Sequence, residues 1–304
     1  MEVELEKTFN EIPHVTENTS IPAAIKFWEI YLKDQEKSVY TIKAFLGDLG
    51  LLIKFLPPDT AIGQITTADL NHFIEWLENG RGRNISCSPK SLARRITTLK
   101  SFFRWLFEHG RIPIDPAEKI VQRSVISPLP TVLTEEEINN AIDASDTFRF
   151  MEKSDARPAA LLRILLETGM KKSECLNLKR SHLEMENQNP YVYIRYADAK
   201  DRNKERKISL SEECVLVLQE YISQYAPEDA LFPWSPRRLE YILEDIGKAA
   251  RLDQHISFSM CRWNSALIDW KSGQEKNKIR QKLGISKIQW REICSKLEKL
   301  HAQT

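Results

Sequence analysis

The sequence has no tyrosine after Tyr241, although 63 residues (242–304) follow it, so no phenolic nucleophile can act near the C-terminus. Paired cysteines are also missing. The five present (Cys87, Cys175, Cys214, Cys261 and Cys294) are odd in number and contain no CxxC, which argues against a disulfide framework or a zinc site and fits a reducing cytoplasm. The six histidines form no HxxxH or HxxH pair, no carboxylate cluster suggests a metal site, and there is no glycine-rich phosphate loop. No metal and no nucleotide cofactor is expected. Apolar stretches such as Ala159–Leu166 are broken by charge and fall well short of the ~20 residues that span a bilayer. The acidic N-terminus lacks the basic and apolar regions of a signal peptide. A cytoplasmic protein without a membrane partner is expected.

At 304 residues the chain is long enough for two cores, and 42% apolar with 29% charged residues is a globular composition. The net charge of +1 conceals an uneven distribution. Residues 1–20 hold five glutamates against Lys7, whereas residues 271–300 hold nine Lys or Arg against three Glu, a local excess of +6 that DNA phosphates could feel.

Four domain segments follow from the pattern: an acidic tail over 1–20, a helical domain over 21–122, a linker over 123–131 and a second domain over 132–304. In the first domain, Ile21, Ile25, Trp28 and Leu32 recur at helical spacing behind Ser20, a candidate cap. Ile42, Phe45, Leu49, Leu52 and Leu56 repeat the pattern up to Pro57-Pro58, and Leu70, Phe73, Ile74 and Leu77 repeat it up to Gly80. A fourth helix opens with Ser88 as cap and Pro89 at the first position, and closes at Gly110. At about 100° per residue, Lys90, Arg94, Lys100 and Arg104 of that helix share an arc roughly 120° wide. Either a DNA-facing surface or a solvated face of a packed helix accounts for this arc; Arg95 points elsewhere.

Residues 123–131, with two prolines and no helical period, read as an extended linker. Thr134 and Glu137 form a capping-box pattern, and Leu161, Leu162, Leu165 and Leu166 mark a buried helix ending at Gly169. Alternation over Tyr191–Tyr196 and Arg206–Leu210, around a polar tip at Asp198–Asn203, predicts a β-hairpin. Further helices are expected near 212–224, 236–250, 260–271, 275–283 and 287–300.

Several pieces in this order resemble a tyrosine recombinase of the phage integrase and Xer type. The first half carries Ser88-Pro-Lys-Ser-Leu-Ala-Arg-Arg-Ile, Leu99-Lys-Ser-Phe-Phe-Arg-Trp-Leu and Asp115-Pro-Ala-Glu. The second carries Leu165-Leu-Glu-Thr-Gly-Met-Lys-Lys-Ser-Glu-Cys-Leu-Asn-Leu, Asn203-Lys-Glu-Arg, Leu231-Phe-Pro and Leu283-Gly. The resemblance spans about residues 21–300 and implies a mainly α fold. Its parts would be an N-terminal four-helix, SAM-like core-binding domain and a C-terminal mixed α/β catalytic-type domain with a small β-hairpin sheet.

The resemblance also implies a catalytic set of two arginines, a hairpin lysine, two histidines (the second sometimes tryptophan) and a tyrosine. Here the first arginine position is Lys171, which keeps the charge but loses the planar fork for two phosphate oxygens. The His-x-x-Arg pattern falls on Ser259 and Arg262, the second histidine on Ile285 and the tyrosine on Cys294. Lys200 matches the hairpin lysine, with one residue more than the usual spacing to Lys204. Removing one donor from such a site typically costs on the order of 10²–10³ in rate, and here one is weakened and two are gone before the nucleophile is counted.

The sequence reading is therefore a double-stranded DNA binder of recombinase shape that has lost strand cleavage and is associated with recombination or integration. Lys90, Arg94, Lys100, Arg104, Lys171, Lys200, Arg202, Lys204 and Arg262 are its candidate DNA contacts. The last helix is the candidate surface for a second copy or a related recombinase. A divergent active recombinase and a non-enzymatic partner of one remain as alternatives.

Overall fold

The computed structural model describes residues 15–82, 85, 87–122 and 128–303, so most of the acidic tail and residues 123–127 of the expected linker lie outside the described residues. The chain divides into two compact units, Met1–Ser127 and Pro128–Thr304.

The first unit contains α1 (Ile21–Asp34), α2 (Val39–Phe55), α3 (Thr67–Glu78) and α4 (Pro89–Glu108). Their apolar stripes meet in one core, where Trp28 stacks on Phe45 at 5.4 Å and meets Phe102 edge-on at 5.3 Å. Ser20 occupies the cap position of α1, but its side chain accepts no hydrogen bond there. Its backbone instead bridges Ala61, and Val15 is buried in the same core. The Ser88 hydroxyl does cap α4, accepting from the Ser91 amide at 3.3 Å. Phe102 and Thr98 are buried in addition to the expected stripe, so α4 packs on more than one side.

The second unit contains α5 (Glu135–Thr147), α6 (Arg157–Thr168), α7 (Lys172–Leu176), α8 (Glu212–Tyr225), α9 (Pro236–Ala249), α10 (Phe258–Lys271), α11 (Lys276–Lys282) and α12 (Lys287–His301). Thr134 and Glu137 form the capping box of α5. Buried α6 is central to the main core, while α10, α11 and α12 enclose a smaller one built on Leu267, Ile279, Leu283, Leu297 and Leu300.

The hairpin is present, and it belongs to a three-stranded antiparallel sheet, β1 (Leu183–Glu184), β2 (Tyr191–Ile194) and β3 (Arg206–Ser209), in the order β1-β2-β3. Val192 and Ile194 face inward, and Tyr193 lies opposite Lys207. The expected open tip is 3₁₀-helical over Ala199–Lys204, with Asp198 capping it through the Lys200 amide. Among the described residues no helix is long and apolar enough to cross a membrane, and no group of three or more His, Cys, Asp or Glu could hold a metal.

Candidate nucleic-acid interface

In the first unit, the arc on α4 divides into exposed and tethered members. Lys90 and Arg104 are exposed, whereas Lys100 is half-buried with its ammonium 3.4 Å from the Glu118 carbonyl oxygen. Arg94 donates through Nη1 to the buried Asp48 carboxylate and to the Ala44 carbonyl at 3.4 Å. Arg95 turns inward toward Asp48 and Cys87.

In the second unit, two of the positions implied by the resemblance, Lys171 and Arg262, lie within electrostatic reach of Glu174. Gly169 ends α6 with φ +57°, and a Cβ there would come within 3.1 Å of Leu283 and Ser265, so the turn that delivers Lys171 packs closely on α10 and α11. Glu174, only 5% exposed, accepts two hydrogen bonds from Arg206, at 3.0 and 2.8 Å. It also accepts from the Tyr196 hydroxyl and from the Lys171 amide at 2.7 Å. Burial alone would raise its pKa, but these donors, Arg206 foremost, hold the carboxyl below its ordinary range.

Lys171 and Arg262 complete this cluster. Burial pushes the Lys171 ammonium below its usual value; Glu174 opposes that, while Arg262, Lys204 and Arg206 add to it. Burial pushes Arg262 down to about 10, and its guanidinium donates to the Gly169 carbonyl and to the Leu283 carbonyl at 2.6 Å. Arg206 Nε donates to the Lys282 carbonyl at 2.5 Å. Gly284, at φ +58°, makes room for it: a Cβ would stand 2.5 Å from Arg206 Nη1.

Of Lys200 and Lys204, Lys204 is the one that acts on Lys171. Lys204 pairs with Asp201 at 2.5 Å and lies within electrostatic reach of Lys171, whereas Lys200 pairs with Asp198 at 2.7 Å on an exposed turn. Arg202 is exposed on the same turn. Ser259 is exposed in the first turn of α10, while Ile285 is buried in the small core. Cys294 is half-buried on α12, 3.7 Å from Glu298; burial pushes its thiol up, Glu298 adds to this and Lys276 opposes it.

Glu174 and Arg206 were absent from the sequence-derived site, although both stand inside the motifs that carry the resemblance. Nothing in their spacing, 32 residues apart, announces the pair. Beside them, a cleft of about 790 Å³ runs along β3 and α11, with Lys207, Lys278 and Arg280 on its walls.

These two units and this site define a protein of the tyrosine recombinase fold: mainly helical, with a SAM-like N-terminal domain and a catalytic-type domain bearing a small sheet. Residues 131–290 match the Phage integrase family and residues 25–110 the phage integrase N-terminal SAM-like domain; the chain belongs to the Phage integrase family. Tyrosine recombinase XerD of Listeria innocua serovar 6a is 25% identical over 288 residues, covering 90% of this chain and 93% of the relative. XerD of Chlorobaculum tepidum is 26% identical over 273 residues, covering 82% of this chain and 83% of the relative. Among solved structures, XerH site-specific recombinase bound to a palindromic difH substrate aligns with a TM-score of 0.71 at 18% identity, over 93% of this chain and 84% of that one. A lambda integrase dimer bound to a COC′ core site aligns with a TM-score of 0.69 at 15% identity, over 94% of this chain and 83% of that one.

Proposed function

We propose that this protein binds double-stranded DNA through both units, in the setting of recombination or integration, and does not cleave it. One observation carries the reading: no tyrosine follows Tyr241, and the resemblance puts Cys294 at the position of the family nucleophile. Its thiol is raised and lies beside a carboxylate. A nucleophile that must ionise gains nothing from that setting. The surrounding residues support the same conclusion. Ile285 is buried and has no group to donate a proton, and Ser259 replaces the other histidine. Arg262 commits two donors to backbone carbonyls. Cleavage needs donors aimed at the pentavalent phosphate and an acid for the leaving oxygen, and these positions supply neither set in full.

Binding needs less. Lys90, Arg94, Lys100 and Arg104 in the first unit, and Lys171, Lys200, Arg202, Lys204 and Arg262 in the second, supply phosphate-directed charge without a catalytic geometry. A protein that assists an active recombinase would use its charge in this way, with cytoplasmic placement supported by five free cysteines. A second copy or a related recombinase would meet α12, whose Leu297 and Leu300 are buried in its own unit while Ile288 remains 79% exposed.

The test is the salt dependence of binding to end-labelled duplex. A steep fall of log affinity with log salt, with every strand intact after denaturation, is expected. Failure to bind duplex at low salt contradicts the reading.

A further inference from the structure

Asp48 is a charged residue in the wrong place for a soluble helix. It is 4% exposed, midway along α2, in the seam against α4. An isolated carboxylate there would be strongly disfavoured, so its partners matter. Three side chains of α4 converge on it. Arg94 Nη1 donates to Oδ2, Thr98 Oγ1 donates to Oδ2 at 2.9 Å, and Arg95 Nε lies 3.5 Å from Oδ1 without making a hydrogen bond.

The two arginines are held differently. Arg95 is 15% exposed and directs Nη1 to Cys87, whereas the Arg94 side chain is 44% exposed. Every hydrogen bond that the Arg94 guanidinium donates among the described residues, to Asp48 and to Ala44, leaves through Nη1. A guanidinium is a rigid planar fork, so fixing Nη1 fixes the whole plane. The Nε and Nη2 edge remains for an outside acceptor, and two parallel N–H groups match two oxygens of one phosphate. One carboxylate also faces two guanidiniums, which leaves the seam with a surplus positive charge. Asp48 orients Arg94 without neutralising the surface.

We infer that Asp48 is a positioning residue for DNA: it locks the guanidinium of Arg94 so that its free edge meets a backbone phosphate. This rests on the DNA-binding reading above. It makes a prediction opposite in sign to charge counting. Asp48→Asn removes a negative charge, which by long-range electrostatics alone would tighten binding to a polyanion. Positioning predicts weaker binding, by about tenfold, the loss of one hydrogen bond to a charged group.

The experiment is a double-mutant cycle of Asp48→Asn, Arg94→Ala and the pair, measured as duplex affinity at fixed salt on protein shown by thermal melting to be folded. Each single variant is expected to bind more weakly, and the pair no more weakly than Arg94→Ala alone. Where Asp48→Asn does not fold, Thr98→Val takes its place in the cycle, since it strips one partner from the same oxygen; it too should weaken binding only while Arg94 is present. Equal or tighter binding by the folded Asp48 or Thr98 variant, or losses that simply add, overturns the inference. A wild-type protein that binds no duplex instead fails the DNA-binding reading itself.

Discussion

Arg206 and Arg262 are the two most enclosed arginines beside Glu174, and their hydrogen bonds among the described residues go to the protein. Arg206 joins Glu174, the Lys204 carbonyl and the Lys282 carbonyl; Arg262 joins the Gly169 and Leu283 carbonyls. Arg206→Ala would leave the Glu174 carboxylate buried without its main partner, so a loss of about 3–5 kcal/mol in denaturant unfolding is expected. Glu174 titrates below its ordinary value in the fold, so it contributes stability above the unfolded-state pKa of about 4.3 that disappears as pH falls through the lower folded value. Glu174→Gln should therefore remove part of the stability lost on acidification below about pH 4, as read by melting across pH. For Arg262→Ala, weaker duplex binding by roughly 1.5–3 kcal/mol is expected, as for a charged hydrogen bond. A folded Arg262→Ala protein that binds normally would make Arg262 purely structural.

Helices were the most legible elements. Apolar residues three and four apart, ended by Pro57-Pro58, Gly80 and Gly110, marked the four α-helices found among the described residues of the first unit, because one-sided burial imposes that period. The two-residue β1 and the helical turns over Ala199–Lys204 left no such signature, being too short to hold a period. The arc on α4 was also legible, but not the tether of Lys100 or the role of Asp48, which depend on contacts across the fold. Replacing Lys90, Lys100 and Arg104 by Ala, and sparing Arg94 so that Asp48 keeps its partner, should reduce the slope of log affinity against log salt by about one unit for each phosphate no longer engaged. An unchanged slope would make the arc a solvated face. α12 buries Leu297 and Leu300 against its own unit, so deleting residues 287–304 would uncover Leu267, Ile279 and Leu283. That truncation should melt early or aggregate on sizing; a stable, well-folded monomer would contradict this packing.

For the molecule as a whole, the order of motifs carried the fold. What spacing could not show is how the positions implied by the resemblance are used. Lys204, at the end of the helical turn over Ala199–Lys204, lies within electrostatic reach of Lys171, and Ile285 is buried in the small core. The central claim, binding without cutting, is tested most directly on nicked suicide duplexes, which trap any covalent protein–DNA intermediate for denaturing electrophoresis. The unmodified protein should shift the duplex under native conditions and give no covalent band. Cys294→Tyr alone should add little, because the donors would still be missing. Lys171→Arg, Ser259→His, Ile285→His and Cys294→Tyr together are the combination in which any cleavage should first appear, since such residues act as a unit. A protease-sensitive covalent band from the unmodified protein, lost in Cys294→Ala, would contradict the account and make Cys294 a nucleophile.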